Sequence, residues 1–205
     1  GVQAAVHAMG DRAISQVIDH FADSDPWLED KPSIRIEHCT LVSQDMLDRI
    51  AAGRMEFGLI SHTIFVFAEY DDYAANLSPQ QFEIAYPIRS FYEQVPATAL
   101  ASDAPATAWA DADNPFYSIK AAVLRRAHNG ADIGQHQAVT LGQALELYTH
   151  RAAACTTATG VGSIAIFTAR PGKRFQRSTV FSGPCTSVGL SNHAGAGPAA
   201  PDPVV

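Results

Sequence analysis

The sequence predicts an α/β fold made of successive strand–helix units, and three observations carry that prediction. Ser33–Thr40 alternates, with Ile34 and Ile36 on one side and Arg35 and Glu37 on the other, the period of two that marks a half-buried strand. A helix signal follows at once, with Ser43 as N-cap before Met46, Leu47 and Ile50. The same order of strand, polar tip and helix recurs along the chain, and the strands end on His7, His38, His62 and Asp103.

The totals bound the function. A chain of 205 residues is long enough for one domain with a real core. Its 47% hydrophobic and 17% charged content is that of a globular protein. The net charge is −7 and the 14 basic residues form no run, which argues against nucleic acid or an anionic membrane surface as the main partner. No apolar run approaches the roughly 20 residues of a membrane span, and no charged segment leads into an apolar signal core. Cys39, Cys155 and Cys185 are odd in number and widely spaced, so a reducing, cytoplasmic setting is expected rather than a disulfide framework. The chain opens on Gly1-Val2-Gln3 and enters a strand immediately, which reads as a cut through a larger protein.

Taken in order, Val2–His7 is a short apolar strand, and Ala13–Phe21 carries Ile14, Val17, Ile18 and Phe21 at helical spacing. Asp23–Pro32 is a polar loop. The strand ending at His38 and the helix Gln44–Ala52 follow, with Gly53 as a C-terminal cap. Met55–Ser61 is the next strand. Thr63–Leu77 has no clear period and is expected to be a long loop over the strand ends. Ser78-Pro79 starts a helix that runs to about Gln94, broken or kinked at Pro87. Ala97–Ser102 is a short strand. Asn114-Pro115 opens the helix Phe116–Ala127, ending near Asn129-Gly130, and Thr140–Ala154 is the last helix. Four βα units make about half of an eight-fold, TIM-type (β/α)8 barrel, in which catalytic residues sit at the C-terminal ends of the strands. Residues 1–163 form this part. Residues 164–205 are expected to be an aberrant tail, disordered over Ser182–Val205, where Gly, Pro, Ala and Ser dominate.

In a closed barrel the strand ends share one mouth. Imidazoles and a carboxylate are ligands that zinc and similar divalent ions select. A strand-end histidine can equally be a polar residue that caps its strand, and on spacing alone the two readings stand level. Cys39 faces away from His38 along the strand and reads as a buried structural thiol.

Three stretches, Val6-His7-Ala8-Met9-Gly10-Asp11-Arg12-Ala13, Arg35-Ile36-Glu37-His38-Cys39 and Ser102-Asp103-Ala104-Pro105, resemble the second half of the amidohydrolase superfamily. Amidohydrolase family 3, which includes N-substituted formamide deformylases, is the branch they resemble. Tyr86-Pro87-Ile88-Arg89-Ser90 and the helix Thr140–Ala153 are similar to the same branch, and the resemblance covers roughly Val2–Ser163. It implies a metal-dependent hydrolase with one or two ions, zinc foremost, acting on a small-molecule amide or related non-peptide C–N bond. His7, His38 and Asp103 match its metal ligands after the fifth, sixth and eighth strands, and Asp103 its catalytic base. His62 matches no ligand position; with Trp109 and Arg89 it is a candidate substrate contact. Asp11 and Arg12 are candidates for supporting His7, or for starting a helix.

The resemblance also marks what is missing. The first-strand His-x-His pair and the fourth-strand bridging residue of the family fall before this chain begins, so the ligand set is incomplete. The expected partner is the missing N-terminal half or a second copy. Arg174-Phe175-Gln176-Arg177-Ser178 replaces the family's closing strand, and a frameshift there is expected. Other readings within reach are a deaminase or esterase of the same superfamily, or a catalytically inactive remnant that binds a partner.

Overall fold

The computed structural model describes residues 1–105, 111–157, 165–168 and 176–180. Strands β1 (Ala4–Ala8), β2 (Ile34–His38), β3 (Phe57–Ser61) and β4 (Thr98–Leu100) form one sheet in that order, and every pairing is parallel. The register sets Ala8 beside His38, His38 beside Ser61 and Ser61 beside Leu100, so the strands finish level along one rim. Parallel neighbours need long crossovers, and helices supply them. α1 (Asp11–Phe21) leads from β1 to β2, and α2 (Gln44–Ala52) from β2 to β3. The crossover to β4 carries α3 (Thr63–Ala68), α4 (Tyr70–Asn76), α5 (Pro79–Glu83) and α6 (Ile88–Gln94). After β4 come α7 (Pro115–Leu124), a 3-10 turn at Gln135–Gln137, α8 (Leu141–Tyr148) and α9 (His150–Ala154). Among the described residues no helix is long and apolar enough to cross a membrane.

The alternation read in β2 is the one that folds. Ile34 and Ile36 are completely buried, and pack with Leu59 of β3, Ile14 and Ile18 of α1 and Leu47 of α2. Burying each such side chain contributes roughly 1.5–3 kcal/mol. On the opposite face Arg35 pairs with Glu37 at 2.8 Å, and Ile60 and Ala99 pack with Cys155 just beyond α9. The caps follow the sequence signals. The Ser43 side chain accepts from the Met46 amide, Ser78 and Gln81 form a reciprocal capping box before α5, and Asn114 accepts from the Phe116 amide.

Several expectations are corrected. Thr63–Leu77 is two short helices, not a loop. In α3 the residues Thr63 to Val66 are all buried, so no exposed face marks it as a helix, while α4 rests on the core only through the half-buried Tyr70 and Tyr73, a stripe too short to stand out. Thr140–Ala154 is broken at Thr149, whose hydroxyl donates back to the Leu145 carbonyl at 2.7 Å. α7 stops at Leu124 because Arg125 turns left-handed, with φ +47°. Gly53 is extended rather than left-handed; its role is close approach, since a Cβ there would lie 2.6 Å from the Ala22 carbonyl oxygen. Beyond residue 164, β5 (Ala165–Thr168) and β6 (Gln176–Val180) pair antiparallel as a separate sheet, which leaves the expected aberrant tail neither supported nor overturned. Ser182–Val205, where disorder is expected, lies outside the described residues.

Gly53→Ala is expected to lower the unfolding free energy by roughly 1–3 kcal/mol, because the new methyl overpacks against the backbone of Ala22. Urea denaturation reads this directly, and an unchanged midpoint would remove the close-approach account of Gly53.

Candidate active site

The level strand ends bring four side chains together. The ring centroids of His7 and His38 lie 4.4 Å apart, edge to face, and those of His38 and His62 lie 4.6 Å apart. His38 Nε2 is 3.9 Å from Asp103 Oδ2. His7, His38, His62 and Asp103 come from β1, β2 and the residues just after β3 and β4, so the cluster depends on the whole sheet.

His38 reaches this position through an unusual backbone. By strict alternation it shares the side of Ile34 and Ile36, yet its ring meets that of His7, whose register partner is Glu37. The turn responsible is left-handed at two successive non-glycine residues, His38 (φ +72°) and Cys39 (φ +45°). Such residues cost about 1–3 kcal/mol each and persist only where their surroundings hold them. Hydrogen bonds do so from both sides. The Cys39 and Leu41 amides donate to the Ala8 and Met9 carbonyls at 3.2 and 3.1 Å, and the Tyr86 amide donates to the Thr40 carbonyl at 2.7 Å.

The cluster is buried on one side and wet on the other. His62 and His38 are 3% and 8% exposed, whereas His7 is exposed and Asp103 is half-buried. Phe65 of α3 supplies an apolar wall, its ring centroid 5.9 Å from that of His38 and 6.0 Å from that of His62. Burial pushes the pKa of His38 down, His7 adds to the effect and Asp103 opposes it. Burial, with His38 adding and Asp103 opposing, pushes His62 down to about 4. Neutral rings keep a lone pair free to accept a proton or bind a cation. Beside them, burial raises the Glu37 carboxyl above its usual value against the pull of Arg35.

Two observations bear on a metal. Nδ1 of His38 and of His62 are buried with no hydrogen-bond partner, a costly state for a polar atom. The donor set of imidazoles and one carboxylate suits a divalent ion. As the side chains lie, no three His, Cys, Asp or Glu groups among the described residues stand in position to hold an ion. The chemistry of the donors fits; their convergence on a single point is incomplete.

The remaining candidates fare differently. Arg89 lies on an exposed face of α6 and pairs with Glu93 at 2.9 Å, a local partner outside the histidine cluster. Asp11 opens α1 and accepts from the Arg12 amide at 2.8 Å, the helix-start role, and Arg12 is exposed. Trp109 lies outside the described residues. Cys39 is fully buried, the structural thiol expected. Phe65 was missed, because it sits in the segment read as loop; the apolar run Ile64-Phe65-Val66 directly after a strand was the available signal.

The model of the amidohydrolase family matches residues 1–166. The chain belongs to amidohydrolase family 3. Among curated proteins it is 25% identical over 156 residues to YtcJ of Bacillus subtilis (strain 168), whose name assigns it provisionally to the amidohydrolases. That match covers 75% of this chain and 28% of YtcJ. Two solved structures are similar, each called an uncharacterized metal-dependent hydrolase. The one from Pyrococcus horikoshii OT3 is 25% identical with a TM-score of 0.64, and the one from Pyrococcus furiosus is 28% identical with a TM-score of 0.60. Each comparison covers 79% of this chain and 31% of the other. This amidohydrolase chain thus spans less than a third of the length of the relatives it matches.

Burial pushes the Cys39 thiol far up, and the Cys155 thiol up to about 11. The thiolate is the nucleophile, so neither is expected to be alkylated by iodoacetamide in the folded chain at pH 7. Peptide mapping by mass spectrometry checks this, and rapid labelling of Cys39 would contradict its structural role.

Proposed function

We propose that this chain carries the last four βα units of the (β/α)8 barrel of a metal-dependent amidohydrolase that cleaves an amide or related non-peptide C–N bond of a small molecule. The observation that carries the reading is the meeting of His7, His38, His62 and Asp103 at one rim of a parallel sheet. The family match and the metal-dependent hydrolases of similar fold support it.

In this reading His7, His38 and Asp103 hold a divalent ion, zinc by the chemistry of the donors. Such an ion, when bound, supplies Lewis acidity and lowers the pKa of water to about 7. The chain's own groups do the rest. Asp103, half-buried at the rim, takes the proton from the attacking water and returns it to the leaving nitrogen. His62, neutral and backed by Phe65, orients the substrate carbonyl, and the Phe65 ring excludes water from the buried side.

A second reading has its own support. The chain covers 28–31% of its relatives, and among the described residues β1 and β4 each have a sheet neighbour on one side only. Edges of this kind invite a further strand. The chain alone is therefore a poor catalyst, and the complete site needs the rest of the barrel, from upstream residues or a partner.

The test is metal content. After dialysis against zinc, the 205-residue chain is expected to retain about one ion, with His7→Ala and His38→Ala losing it and Asp103→Asn weakening it. Zinc retained equally by all variants would overturn the ligand set. No zinc in the parent chain, together with no amide hydrolysis, would favour the inactive remnant, whereas fast hydrolysis by this chain alone would refute its dependence on the missing half.

A further inference from the structure

The geometry points to Arg125 as a positioning residue for His38: its buried guanidinium fixes the Ala85–Tyr86 corner, and that corner fixes the left-handed turn that carries His38. The inference rests on the reading of His38 as a ligand only for its functional meaning; the mechanical link stands on the contacts themselves.

Arg125 is 0% exposed and ends α7 in the left-handed region. A buried guanidinium is costly unless its donors are used. Nε donates to the Gly134 carbonyl at 3.0 Å, and Nη2 donates to the carbonyls of Ile133 at 2.5 Å and Ala85 at 3.4 Å, while Nη1 is buried without a partner. The first two partners are close in sequence. Ala85 is forty residues away, in the corner between α5 and α6. The nearby carboxylate is Asp132, and its Oδ1 already accepts from the Gly134 and Gln135 amides, shaping the loop that presents those carbonyls.

The corner meets the residues just after His38 through backbone hydrogen bonds. Leu41 and Ala85 form an isolated antiparallel bridge, the Val42 amide donates to the Ile84 carbonyl at 3.2 Å, and the Tyr86 amide donates to the Thr40 carbonyl at 2.7 Å. Tyr86 is itself left-handed (φ +54°) and fully buried, and its hydroxyl lies 2.8 Å from that of Tyr73. The line thus passes through three left-handed points, His38–Cys39, Tyr86 and Arg125, which persist only where their surroundings hold them. The fork of arginine reaches carbonyls on two segments at once, which the single ammonium of lysine does not reproduce.

Native-state hydrogen exchange on the unmodified 205-residue chain tests the link first. The amides of Val42, Tyr86 and Ile133 are expected to open as one unit, with the same protection and the same denaturant dependence; separate opening of Ile133 overturns the inference. Arg125→Lys is expected to speed exchange at Val42 and Tyr86 about tenfold and to move the ring cross-peak of His38 in a histidine-labelled spectrum, while Ile14 and Ile18 in α1 keep their protection. Gly134→Ala gives a second handle that keeps the arginine: φ there is +88° and a Cβ would lie 3.3 Å from Arg125 Nη2, so the same signature is expected. A general loss of protection with no selective change at His38, or no change at Tyr86 in either folded variant, refutes a positioning role. In zinc titrations Arg125→Lys is expected to weaken binding about tenfold. If His38→Ala leaves zinc binding intact while the exchange and ring signatures appear, the ligand reading fails and the positioning of the His38 turn stands.

Discussion

Everything at the rim depends on the parallel register of β1, β2, β3 and β4. Because Ala8, His38, Ser61 and Leu100 stand side by side, the residues at and just beyond the strand ends share a common level. Slipping one strand by a single residue would turn its side chains to the opposite face. The buried face resists that slip, since Ile34, Ile36 and Leu59 would leave the core they form with α1 and α2. The hydrophobic packing on one side of the sheet therefore sets the geometry of polar groups at its end.

The polar groups are then tuned by where the packing stops. His62 lies deepest, beside Phe65, and loses its tendency to charge; His7 stands in water; His38 lies between them and faces Asp103. On the two inner imidazoles burial and the neighbouring histidines act against the Asp103 carboxylate, and burial is the largest of these effects. The cluster belongs to a chain of amidohydrolase family 3 that spans less than a third of the length of the relatives it matches.

Strain is concentrated where the chain leaves the sheet or turns beneath it. Among the described residues, the non-glycine positions with positive φ are His38, Cys39, Tyr86, Asp103 and Arg125. Two are members of the histidine–aspartate cluster, one follows its central histidine, and two belong to the buried network that braces it. At about 1–3 kcal/mol for each such residue, this arrangement survives only because the surrounding core and backbone hydrogen bonds hold it.

Much of the framework was legible in the sequence because its cause is local. The alternation of Ile34, Arg35, Ile36 and Glu37, the caps at Ser43, Ser78 and Asn114, and the break at Pro87 are decided by nearest neighbours, and the folded chain follows them. Four strand-end residues could be picked out for the same reason. Tertiary structure decided the helical state of residues 63–76, where one half is buried from Thr63 to Val66 and the other touches the core only through Tyr70 and Tyr73. It also decided the backbone inversion at His38 and the burial of Arg125, because a left-handed non-glycine residue or a dry guanidinium is unfavourable locally and exists only when distant segments close around it.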